Sequence, residues 1–89
     1  MKKSQFNFVV REGLLTRRNY IAVKIETEGN PGPEIIVNRV ENFDAKIAYY
    51  TNAYNDDMEL ISAKNAGKLI RISDVLMTNS LNDLSWFFN

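Results

Sequence analysis

Arg17-Arg18, followed by Asn19-Tyr20, sets two guanidinium groups beside an aromatic ring, a combination that can contact phosphates and stack on a base. No Lys/Arg stripe extends from the pair, so a solvated turn is the simpler reading. Asp56-Asp57-Glu59 gathers three carboxylates, the ligands that hard divalent cations prefer. The cluster lacks the glycine and the spacing of an EF-hand loop, and it reads as a solvated helix end. The 89 residues contain no histidine and no cysteine. That removes the usual near-neutral acid/base, the usual thiol nucleophile and the two commonest zinc ligands. Tyr, Lys, Asp and Glu can still transfer protons, but none is paired at a telling spacing. Neither a glycine-rich phosphate loop nor a serine nucleophile elbow is present. The expectation is a protein that is not an enzyme and carries no cofactor.

Two further features point to binding. Tyr49 falls about 100° off the apolar stripe formed by its neighbours Tyr50 and Tyr54 on a helical wheel. An exposed tyrosine offers a large contact area at low entropy cost, and cover by a second layer of the fold is the equal alternative. Trp86-Phe87-Phe88 loads three rings onto the chain's last four residues. Three consecutive rings cannot all face inward from one short element. At least one is expected to be buried elsewhere, as against a second subunit, though a tail folded back over the core is the simpler reading.

The elements that must position these groups follow from periodicity. Residues 5–10 alternate, with Phe6, Phe8 and Val10 on one face, which predicts a half-buried strand. Gly13 reads as a turn, and residues 14–19 as a loop or a second strand. Residues 20–26 form the clearest strand, with Ile21, Val23 and Ile25 facing one way. Gly29-Asn30-Pro31-Gly32-Pro33 forces a reversal. Residues 20–27 and 34–40 therefore predict an antiparallel hairpin. The period then changes. Phe43, Ile47, Tyr50, Tyr54 and Met58 recur at +4, +3, +4, +4, predicting an amphipathic helix from about 43 into the mid-fifties or to 60, with Asn42 as N-cap. After a turn at residues 65–67, residues 68–73 read as a strand with Ile70 and Ile72 inward. Ser80 to Asp83 resembles a capping box opening a short terminal helix.

The fold expected is a single α+β domain over residues 1–89. It is an antiparallel sheet of three to five strands, one main amphipathic helix packed on one face, and a short C-terminal helix. The expected core is Phe6, Phe8, Ile21, Val23, Ile25, Ile36, Phe43, Ile47, Tyr50, Tyr54, Ile70 and Ile72. The composition, 45% apolar and 25% charged, is that of a globular domain. The apolar run after Lys2-Lys3 is too short for a signal peptide, and nothing approaches a membrane span. A cytoplasmic location without membrane association is expected. Net charge is zero, yet residues 1–40 carry +3 and residues 41–89 carry −3.

The stretch Lys46-Ile47-Ala48-Tyr49-Tyr50-Thr51-Asn52-Ala53-Tyr54-Asn55-Asp56-Asp57-Met58-Glu59-Leu60, followed by Lys68-Leu69-Ile70-Arg71-Ile72-Ser73-Asp74, resembles small phage and prophage proteins of low-GC Gram-positive bacteria. In those proteins a YY…AY(D/N)D helix precedes an (I/L)(K/R)I strand. The similarity spans residues 43–74 and brings no catalytic residue with it. It implies a short phage-encoded protein of the host cytoplasm that acts by binding a host or phage protein. Tyr49, Trp86 and Phe87 are the candidate contacts, together with the 29–33 loop. The alternative is a nucleic-acid-binding module using Lys2, Lys3, Arg17, Arg18, Tyr20 and Lys24 on a basic N-terminal sheet face. A third reading is a structural homodimer formed through the aromatic tail.

Overall fold

Ile21, Ala22 and Val23 are three consecutive residues with no solvent exposure. A strand can bury successive side chains only if both of its faces are covered, so this run belongs at the centre of a sheet. In the computed structural model, which describes residues 1–42 and 44–88, it does. Strand β1 (Tyr20–Thr27) lies between β2 (Glu34–Arg39) and β3 (Ile70–Thr78), giving a three-stranded antiparallel sheet of order β2-β1-β3. The β1–β2 hairpin runs in register from Tyr20 opposite Arg39 to Ile25 opposite Glu34. Its reversal uses Gly29 at φ 89°, a conformation that a side chain would penalise.

Strand β3 extends well beyond the expected residue 73. A bulge explains why the alternation hides this. Lys24 stands opposite Asp74 but Ile25 stands opposite Ile72, which leaves Ser73 as the extra residue. Inward positions are therefore even-numbered before the bulge (Ile70, Ile72) and odd-numbered after it (Val75, Met77).

The N-terminal segment is a helix, not the expected strand: α1 spans Lys3–Leu15. Phe6 and Val10 are buried as predicted, but they are i and i+4, a spacing shared by both periods. Phe8, expected in the core, is 55% exposed because a helix turns it away from the sheet. The backbone N–H of Lys2 donates to Gln5 Oε1 (2.8 Å), closing the first turn. Gly13 is not a turn but a buried helical residue against β3.

Helix α2 covers Asp44–Ala53, shorter than predicted. Tyr50 is buried and Ile47 is half-buried, as the periodicity requires. Tyr54 and Met58 are also buried, but beyond the helix. Tyr54 bridges Leu60, and Met58 sits in a turn at φ 56°. Phe43, expected in the core, and the side chain of Asn42, expected to cap the helix, lie outside the described residues. The cover of this sheet face is thus divided between α1, α2 and the segment after it, in place of one main amphipathic helix. Its rings interlock: Phe6 meets Tyr50 edge-on at 5.6 Å. A short helix, α3 (Ile61–Asn65), precedes β3, and a last one, α4 (Leu84–Phe88), ends the described chain. Among the described residues no helix is long and apolar enough to cross a membrane.

Candidate interaction surface

The second face of the sheet carries Tyr20, Ala22 and Lys24 from β1. Ala22 is flanked by Val37 of β2 and Leu76 of β3. The small Ala22 side chain leaves room for a covering element, and α4 fills it. Leu84 and Phe87, at i and i+3, are buried against Ala22, with Ile35 and Leu76 packed around them. The ammonium of Lys24 stands 4.8 Å from the centre of the Phe87 ring.

The start of this element is tied down. Ser80 Oγ accepts from the Asn82 amide (3.3 Å), and the Ser80 amide donates to Thr78 Oγ1 (3.1 Å). Thr78 Oγ1 in turn donates to the Asp83 carboxylate, and Ser85 Oγ donates to the Asn82 carbonyl (2.9 Å). The expected capping box is therefore half formed: Ser80 caps, while Asp83 turns to Thr78.

Fixing Leu84 and Phe87 inward forces their neighbours outward. Trp86 is 83% exposed and Phe88 57% exposed. Leu81, in the 3-10 turn before α4, is also exposed, as is Val37 on β2. Of the sequence candidates, Trp86 is thus a free surface ring, whereas Phe87 is packed into the fold. Tyr49 is 52% exposed, on a different side of the molecule. Its ring edge rests against Tyr50 (5.5 Å) and Tyr54 (6.0 Å), so half of it completes the tyrosine cluster. Burial pushes the Tyr54 phenol up to about 12, with the neighbouring tyrosines adding to the effect; burial raises Tyr50 as well.

The residues named for nucleic acid do not share one face. Lys2 pairs with Asp57, a hydrogen bond that raises the lysine and lowers the carboxylate. Lys3 Nζ donates to the carbonyls of Thr51 (2.7 Å) and Tyr54 (2.5 Å). Both lysines sit at the start of α1, and a helix of 13 residues carries them about 20 Å from Arg17 and Arg18. Lys24 is engaged with Phe87. Only Arg17, Arg18 and Tyr20 come together, in a cleft of about 360 Å³ that Asn19, Arg39, Val40 and Glu41 also line. Arg39 was not legible as a site residue on its own. It arrives through the hairpin register, opposite Tyr20, with its guanidinium 5.8 Å from the centre of that ring.

The acidic cluster is dispersed into local contacts. Asp57 faces Lys2, and Glu59 accepts from Lys64 Nζ (2.8 Å) and Asn55 Nδ2 (2.9 Å). Among the described residues no group of three His, Cys, Asp or Glu side chains is placed to hold a metal ion. No protein-family model matches the chain, and neither a curated protein nor a solved structure matches it.

Proposed function

We infer that this domain is a protein-binding module that engages its partner through the aromatic surface of α4. The observation that carries this reading is the division of labour within one helix. Leu84 and Phe87 anchor α4 to the sheet, and that anchoring holds Trp86 and Phe88 out in water. A lone tryptophan, at 83% exposure on a fixed element, keeps a large apolar area in solvent at a free-energy cost that a partner's pocket would recover. Leu81 and Val37 extend the apolar area around it.

The resemblance of residues 43–74 to small phage and prophage proteins makes a host or phage protein of a Gram-positive cell the expected occupant. The reading requires no chemistry from the chain, in keeping with a sequence that has no histidine, no cysteine and no catalytic motif. Tyr49 is a secondary contact candidate. Phe87 supports the surface from below and does not form it.

Affinity capture from host lysate tests this directly, with nuclease present throughout. Wild-type protein should retain one defined protein that the Trp86→Ala variant does not. Equal capture by both would remove α4 as the contact. Capture of nothing but a second copy of the chain would make the surface a dimer interface.

A further inference from the structure

We propose that the cleft between the end of α1 and the open end of the β1–β2 hairpin is a binding site for a phosphate-bearing ligand, held by Arg17, Arg18 and Arg39. Three elements converge there. Arg17 and Arg18 leave the C-terminus of α1, Tyr20 begins β1, and Arg39 ends β2. Three arginines are among the residues that line a single cleft of about 360 Å³. Among the described residues none of the three has a carboxylate partner, because the ion pairs there are Lys2–Asp57, Lys64–Glu59 and Arg71–Glu26. Glu41 is the one acid lining the cleft, leaving an excess of two positive charges. A tetrahedral phosphate presents enough acceptor oxygens for all three forks, whereas a carboxylate presents two.

Two observations show the site to be built and not simply basic. The Arg39 guanidinium lies 5.8 Å from the centre of the Tyr20 ring, which restricts the side chain before any ligand arrives. Arg17 occupies a left-handed conformation, φ 56°, just past the C-cap Thr16. Glycine is the ordinary residue there, because a side chain at positive φ is strained. The adjoining amide of Arg18 donates to the Gly13 carbonyl (2.9 Å), which fixes the turn. Where glycine would suit the backbone, arginine adds a guanidinium-bearing side chain beside the cleft.

The site is separate from the α4 surface and can fail without it. An NMR titration of the full chain at low salt, following the amides of residues 16–20 and 39–41, uses inorganic phosphate in one arm and a short oligothymidylate in the other. Saturable shifts confined to the cleft are expected. Arg18→Gln and Arg39→Gln should each weaken binding roughly tenfold, Glu41→Gln should tighten it, and Trp86→Ala should leave it unchanged. Tighter binding of the oligonucleotide, falling steeply with salt, would identify a phosphodiester backbone as the source. Saturation by phosphate alone would identify a small phosphorylated ligand. Arg17→Gly separates site from fold: it should keep or raise the thermal midpoint while weakening phosphate binding. Absence of saturable shifts with both probes would overturn the proposal. So would shifts indifferent to the arginine variants, or equal binding of poly-glutamate.

Discussion

Gly13 of α1 lies directly over Met77 of β3, so that a Cβ built on the glycine would meet the methionine's Sδ, Cε and Cβ, the last at 2.8 Å. This is where the N-terminal helix touches the sheet, and it explains a helix-weakening residue inside α1. Gly13→Ala gains about 1 kcal/mol of helix propensity but forces α1 off the sheet. Overpacking costs about 1–3 kcal/mol. The net expectation is a loss of up to about 2 kcal/mol in urea unfolding, where propensity alone predicts a gain. A more stable alanine variant would mean that α1 does not pack as described.

The rings of α4 divide cleanly into support and surface. Phe87→Ala removes a buried ring over Ala22 and should cost about 3 kcal/mol. Trp86→Ala should change stability by no more than about 0.5 kcal/mol. Thermal melts of the two variants check this. Equal losses would show that Trp86 is packed.

Met58 combines zero exposure with a left-handed backbone at φ 56°. Met58→Ala should cost about 2–5 kcal/mol from the cavity. Glycine at an ordinary site is worse than alanine by about 1 kcal/mol. Here Met58→Gly should be no less stable than Met58→Ala, because glycine relieves the backbone. Denaturant midpoints of the two variants decide it.

Tyr54 and Tyr50 set the alkaline limit of the fold. In the unfolded chain a tyrosine loses its proton near pH 10, whereas burial holds Tyr54 at about 12. Above pH 10 the unfolded state thus binds fewer protons, and stability falls with rising pH. The stabilisation is complete below pH 10 and declines by about 2 kcal/mol on the way to pH 12. Absorbance of phenolate should show Tyr50 and Tyr54 titrating late. Titration of Tyr50 and Tyr54 near pH 10 would contradict their burial. On the acid side, Glu26 is held low by its hydrogen bond from Arg71, and Asp57 by Lys2. Their contributions are present above the ordinary carboxylate range and fade as pH falls through the lowered values.

The hairpin was legible because two local signals agreed: strict alternation over residues 20–26 and the Gly-Asn-Pro-Gly-Pro reversal. Residues 6–10 misled because Phe6 and Val10 satisfy both periods. What separates the two is Phe8, and its exposure depends on a packing partner, β3, that lies far along the chain. The bulge at Ser73 hid the second half of β3 by shifting the inward positions from even to odd numbers. Tyr54 and Met58 kept the helical spacing although the chain had left the helix after Ala53. The conflict among Trp86, Phe87 and Phe88 could be read in sequence, but not which ring would lose contact with the core. That depends on the direction in which Thr78, Ser80 and Asp83 launch α4. Arg39 joins Arg17 and Arg18 only through the register that places it opposite Tyr20. That register is carried by the pairing that runs back from the Gly-Asn-Pro-Gly-Pro turn.

The most direct test of α4 as the contact surface is site-specific photocrosslinking in cells that express the protein. A benzophenone side chain placed at position 86 should give one discrete adduct with a larger protein, and the same group at Lys68, in the loop before β3, should give none. No adduct from position 86, or the same adduct from both positions, would contradict an interaction made through Trp86.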